Sequence, residues 1–386
     1  MPVYHASVVT TQLFEDLDRL TASPNPAAAL HHLTATLLES GEYGLAFESR
    51  LMGKRHELGL PLIQSDQITR DDYQHAVMAI ARDTGQLFLA AGNLARAWPY
   101  FRAIGETQPI EDAIAALPNE GDVEQVIGIA FQEGVHPLKG LELILANQGM
   151  CRAITAFGMT AVQKDREKCI ALLARHLYNE IVPRMSETIQ THEGTAHEGN
   201  TQATTNLLEL MQGRDWLFGE WDYYVDTSHL LSVVPYGIEL KDPEALACIH
   251  ELCEYGKHLA PQFQSAGVPP FENQFEAYGH YIQALRGIET ESHLDYFRQQ
   301  VANADPDVAG DAPGRTLTRL LIALGRPEEA LSAVLDHVFE DAPWGQPVPT
   351  ALQLCYQTGN FSKMQDLARE RGDALSYIAA AILNRT

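Results

Sequence analysis

The chain has 386 residues, 45% of them apolar and 20% charged, a balance that supports a folded core and excludes general disorder. Fifty-one acidic residues against 27 basic ones give a net charge of -24, which repels phosphate backbones and anionic lipid surfaces. Nucleic acid and membrane are therefore not expected as partners.

The first residues carry no basic region followed by an apolar core, and no stretch reaches the ~18 apolar residues of a membrane span. The five cysteines, Cys151, Cys169, Cys248, Cys253 and Cys355, are odd in number and form no CxxC. Most of them are expected to be small buried hydrophobes in a reducing compartment, and the protein is expected to be cytoplasmic.

In chain order, residues 10–20 and 23–40 each read as a helix. Ser23 or Asn25 can cap the second and Pro26 suits its first turn. Leu30, Leu33, Leu37 and Leu38 recur at helical spacing, so one face is apolar. Gly41 ends that helix and the next, 41–58, begins at once, which predicts an antiparallel pair joined by a short turn.

The same punctuation returns at Gly92, Gly325 and Gly359. Five positions after the glycine stands Ala46, Ala97 or Ala330, and in the last instance Met364. A glycine takes up the left-handed conformation that ends one helix, and an alanine on the next lets two backbones approach closely. In this pattern the chain resembles tetratricopeptide-type helical repeats over roughly a third of its length. The resemblance implies antiparallel helix-turn-helix pairs stacked as an α-solenoid, with an irregular helical bundle as the alternative arrangement. Either is all-α.

Further helices are expected over 122–134, 137–157 and 165–189, with Pro137 opening one and Asp165 capping another. A polar, Gly- and Thr-rich stretch follows and predicts a mobile connection at 186–206. It contains HEGTAH, but His192 and His197 are five apart where a zinc-binding HExxH helix needs four. The segment 231–240 contains Pro235 and Gly237 and reads as a helix end, not a strand. The expected organisation is one elongated helical domain over 1–386. It divides into N-terminal helical pairs (1–185), the connection (186–206), a central aromatic, histidine and acidic segment (207–290) and C-terminal tetratricopeptide-like pairs (291–386).

The central segment carries the candidate chemistry. Asp226 and His229 are three apart, so on a helix both would project from one face with Cβ atoms ~5–6 Å apart. His250, Glu254 and His258 recur at intervals of four, as do Glu272, Glu276 and His280, and upstream His176 and Glu180 repeat the spacing. Metal sites in helical proteins are built from inward-facing carboxylates and imidazoles on several helices, and this donor set suits iron, manganese or zinc. Asp226, His229, Glu254, Glu276 and His280 are the candidate ligands. The same spacing also makes ordinary surface pairs worth ~0.2–0.5 kcal/mol.

Aromatic side chains are dense in the same segment. Trp216, Trp221, Tyr224, Tyr255, Tyr278 and Tyr281 are the candidate walls of a ligand pocket, the alternative being that they fill the core between helices. No GxSxG elbow, phosphate loop or dinucleotide fingerprint is present. Two functions follow as expectations: a helical-repeat protein holding a protein or small-molecule ligand on a concave face, or a metal-dependent hydrolase or oxygenase.

Overall fold

The computed structural model describes residues 11–63, 70–119, 121, 123–194, 206–264, 271, 273–338 and 348–385. Among them the chain is all-α, with 20 α-helices, short 3-10 and π turns, and no strand. No helix among the described residues is long and apolar enough to cross a membrane.

The chain divides into two compact units, Met1–Arg166 and Glu167–Thr386. The sequence reading expects one elongated domain with divisions near 185, 206 and 290. Composition marks where the chain turns polar, whereas a unit is defined by which distant segments pack together.

The first unit contains α1 (Thr11–Thr21), α2 (Ala27–Glu39), α3 (Tyr43–Glu57), α4 (Asp71–Ala90), α5 (Leu94–Ile104), α6 (Gln108–Ala115), α7 (Glu124–Ile127) and α8 (Pro137–Met159). Helix α2 packs on α3, and α4 on α5. The turn chemistry behind these pairs is local. Gly92 has φ +73°, and beyond it the Asn93 N–H donates to the Phe88 carbonyl at 2.8 Å while the Gly92 N–H donates to Leu89 at 2.9 Å. This is a Schellman cap, which satisfies the orphan carbonyls of α4 and turns the chain so that α5 starts at Leu94. Gly41 closes α2 in the same way.

Ala97 is then fully buried at the α4–α5 crossing. Gly85 on α4 allows the approach from the other side, since a Cβ there would meet the Phe101 ring at 2.6 Å. The core around this pair gathers Phe88, Trp98, Phe101, Ile110 and Ile114.

Local details differ from the sequence reading at two points. Helix α2 begins after Pro26 with no side-chain cap, since the Ser23 hydroxyl donates instead to the Leu20 carbonyl at 2.7 Å. The expected helix at 122–134 is α7 continued by a π turn, Gly128–Gln132. Pro137 does open α8, with His136 as its cap.

The second unit opens with α9 (Arg166–Glu193), whose first residue is the last of the first unit. It continues through α10 (Leu207–Met211), α11 (Thr227–Val233), α12 (Pro243–His258), α13 (Gln274–Leu285), α14 (Thr290–Asn303) and α15 (Pro306–Ala309). It ends with α16 (Ala312–Ala323), α17 (Pro327–His337), α18 (Ala351–Thr358), α19 (Phe361–Glu370) and α20 (Ala374–Leu383). Helix α9 runs through residues 186–193, the first part of the expected polar connection. His197 and residues 195–205 lie outside the described residues, as does Glu272.

Gly325 and Gly359 repeat the Schellman turn, at φ +70° and +69°, and join α16 to α17 and α18 to α19. Ala330 is fully buried and Met364 nearly so. The 231–240 segment is the end of α11 followed by a 3-10 turn, Val234–Glu239, as expected. Gly237 is required there because a Cβ would lie 2.7 Å from Ile249. Helices α12, α13 and α14 pack in sequence, and the C-terminal core collects Leu294, Phe297, Leu320 and Leu354.

Candidate functional site

The segment between α10 and α11 has little regular structure, yet its backbone is held at several points. The Arg214 guanidinium donates to Glu193 at 2.7 Å and to the Leu210 carbonyl at 3.1 Å, which ties the segment to the end of α9. At Tyr224 the N–H donates to the Tyr255 hydroxyl at 2.8 Å, and the carbonyl accepts from Arg184 at 3.1 Å. The Tyr224 hydroxyl donates back to the Leu217 carbonyl at 3.2 Å, and the Gln262 amide donates to the Glu220 carbonyl. A buried main-chain group without such partners would cost ~1–3 kcal/mol, so this hydroxyl and guanidinium are structural.

That anchoring sorts the aromatic candidates. Tyr224, Tyr255 and Tyr281 are buried in the core, so these three fill space between helices where the pocket reading had them facing a ligand. Burial raises the pKa of each, and Tyr281 is pushed up to about 12 as it sits edge-on to Phe297. Tyr278 is partly buried and its pKa is raised for the same reason.

Trp216 and Trp221 face outward, and Trp221 is 70% exposed. Tyr223 joins it, also exposed, and both rings stand edge-on to Phe263 at centroid distances of 6.2 and 5.0 Å. Trp216 stacks on His192 at 3.8 Å. Glu220 and Asp222 are exposed beside Trp221, the second accepting from the Gly219 N–H at 3.1 Å. Trp221 and Tyr223 are thus exposed together around the partly buried Phe263 on a hydrogen-bonded frame, with the exposed Glu220 and Asp222 as their neighbours along the chain.

The histidine and carboxylate candidates do not meet as a group. Asp226 has φ -56° and ψ 117°, outside the helix, and caps α11. Its carboxylate accepts from the Ser228 N–H at 2.9 Å and the Ser228 hydroxyl at 2.7 Å, and those bonds hold its pKa below the usual carboxylate range. The helical spacing to His229 therefore does not apply to it, because a capping residue turns its side chain back on its own backbone. Glu276 is exposed in the first turn of α13. Glu254 pairs with Lys257 at 2.7 Å and lies 3.9 Å from His250 Nδ1. His176 and Glu180 form a partly exposed pair at 3.3 Å on α9, the ordinary surface arrangement. Among the described residues no group of three or more His, Cys, Asp or Glu side chains is placed to hold a metal ion.

The structure builds a different cluster across α12, α13 and α14. His280 Nδ1 lies 2.7 Å from His293 Nδ1, and the His280 ring stacks on Tyr296 at 4.0 Å. At this distance one ring donates its proton to the other, so at most one of the facing nitrogens can be protonated. Burial first, and then the neighbouring imidazole, lower the His280 pKa to about 4. Burial also lowers the pKa of His293 and of His250, whose Nδ1 is buried without a hydrogen-bond partner.

His293, Tyr296 and Lys257 were absent from the sequence reading. Thirteen residues and a turn separate His280 from His293, and no helical periodicity connects positions on different helices. No protein-family model matches the chain, and neither a curated protein nor a solved structure matches it, so the site rests on its own geometry.

Proposed function

We propose that this protein is a scaffold of tetratricopeptide-like helical pairs that binds a basic polypeptide segment on the surface formed by Trp221, Tyr223 and Phe263. The observation that carries this reading is the outward exposure of Trp221 and Tyr223 on a backbone anchored by Tyr255, Arg184 and Gln262. Large aromatics on a prearranged frame lose little entropy when they bind, and such residues dominate interface energies. Glu220, Asp222 and the net charge of -24 set the sign of the partner. A Lys or Arg side chain over these rings adds ~0.5–2 kcal/mol.

The test is calorimetric titration with an arginine- and lysine-rich peptide, with a glutamate-rich peptide of equal length as control. Binding that weakens with salt and falls at least about tenfold in Trp221→Ala is expected, the loss of one aromatic anchor. Equal affinity in wild type and Trp221→Ala would mean that the acidic surface attracts polycations without this site. The alternative, a metal-dependent enzyme using iron, manganese or zinc, has no converging donor set among the described residues to carry it.

A further inference from the structure

Phe263 lies partly buried in the short 3-10 turn Pro261–Phe263, and two rings from a different part of the chain meet it there. The Trp221 plane is inclined to the Phe263 ring by 77° and the Tyr223 plane by 62°. Trp221 and Tyr223 stand two apart in sequence and still meet the same ring, while the Asp222 carboxylate between them turns back to accept from the Gly219 N–H. The Gln262 amide, next to Phe263, holds the Glu220 carbonyl, next to Trp221, so the two chain segments keep the rings together without a ligand. Ring planes at steep angles to one another make a corner walled by π faces, and the negative quadrupole of each face attracts a cation.

The charge of the segment agrees. From Asp215 to Leu240 the chain carries five acidic residues and neither Lys nor Arg. Two guanidiniums that reach it are already held, Arg214 by Glu193 at 2.7 Å and Arg184 by the Tyr224 carbonyl at 3.1 Å.

We propose that Trp221, Tyr223 and Phe263 form an aromatic cage for the quaternary ammonium of a trimethylated lysine. The assignment rests on the binding of a basic polypeptide segment proposed above and narrows it to one side chain. Selection follows from what the rings lack. Neither the Phe263 ring nor the Trp221 indole accepts a conventional hydrogen bond, so an unmodified ammonium placed here would give up its three N–H contacts with water. Full methylation removes those N–H groups and keeps the charge, so the same rings attract the cation at a smaller desolvation cost. A planar guanidinium stacks on one ring face, whereas three inclined walls suit a round head. Choline presents the same head, but in a lipid it is joined to a phosphate, which a chain of net charge -24 repels.

Calorimetric titration of the full chain tests this with three peptides of one basic sequence. The central position carries lysine, trimethyllysine, or an uncharged side chain in which carbon replaces the quaternary nitrogen. The trimethyllysine peptide should bind at least about tenfold more tightly than either of the others. That advantage should vanish in Trp221→Ala and in Tyr223→Ala and persist in part in Trp221→Phe, whose smaller ring attracts a cation less. Trp221 and Tyr223 are 70% and 52% exposed, so circular dichroism and melting of these variants should stay those of wild type. Equal binding of the lysine and trimethyllysine peptides overturns the cage and leaves the basic-segment reading standing, whereas no binding by any of the three removes both. An uncharged isostere as tight as trimethyllysine overturns the cage as well, since a contact blind to charge is apolar burial alone. So does an advantage that survives in both alanine variants. Choline chloride that binds more tightly than the trimethyllysine peptide overturns the polypeptide assignment in favour of a free small cation.

Discussion

The contact between His280 and His293 makes this protein's stability depend on pH in a way that can be worked out beforehand. Two full charges 2.7 Å apart would repel by about 6 kcal/mol at an effective dielectric constant of about 20, an upper figure for charges spread over rings. The pair therefore resists a second proton. Unfolded, each imidazole titrates near 6.5, whereas folded His280 does so at about 4. Between these values the unfolded chain binds more protons than the folded one. The contribution to stability is thus complete above about pH 6.5 and is lost as pH falls towards about 4.

The unscreened shift corresponds to about 3 kcal/mol, and partial solvent exposure reduces this to roughly 1–2 kcal/mol. The surrounding charges act in both directions. Lys257 on α12 opposes protonation of His280 and Arg286 that of His250, while Glu254 favours both; Glu289 before α14 favours that of His293. The assay is urea unfolding from pH 7.5 to 4.5 for wild type and His293→Gln, with histidine ring protons followed by NMR. In the variant the His280 pKa should rise part of the way towards its ordinary value, because the neighbouring imidazole is gone and burial remains. A wild-type His280 that titrates between about 6 and 7 would refute the reasoning, as would a wild-type-to-variant stability difference independent of pH.

Other perturbations have equally definite outcomes. Ala97→Leu should destabilise the chain by ~1–3 kcal/mol, since the added atoms enter a fully buried crossing of α4 and α5. Unchanged chemical denaturation would contradict that packing. Tyr255→Phe should cost ~1–3 kcal/mol by leaving the Tyr224 N–H buried without an acceptor, and hydrogen exchange at Tyr224 should report the loss directly. Dialysis against EDTA should leave helicity and melting unchanged. A fall in Tm beyond about 5 °C with release of zinc, iron or manganese would bring Asp226, His229, Glu254, Glu276 and His280 back as ligands.

The helical hairpins were legible in the sequence because their causes lie within a few residues. Gly92 reverses the chain, Ala97 marks the close approach, and the apolar spacing around them shows which face turns inward. The helix end at Pro235 and Gly237 was legible for the same reason. Asp226 was misplaced by identical spacing rules, since a residue three before a histidine can sit within a helix or cap it, and the capping bond to Ser228 decides. The aromatic segment stood out by composition, but which rings face water depended on where α12 lay.

What the sequence by itself determined is therefore the all-α class, the hairpin turns and the buried faces of single helices, each a consequence of local backbone preference and periodicity. Only the tertiary structure decided that His280 meets His293 and that Tyr255 anchors a loop while Trp221 faces outward. Periodicity fixes the direction a side chain takes from its own helix axis. It carries no information about which other helix lies in that direction.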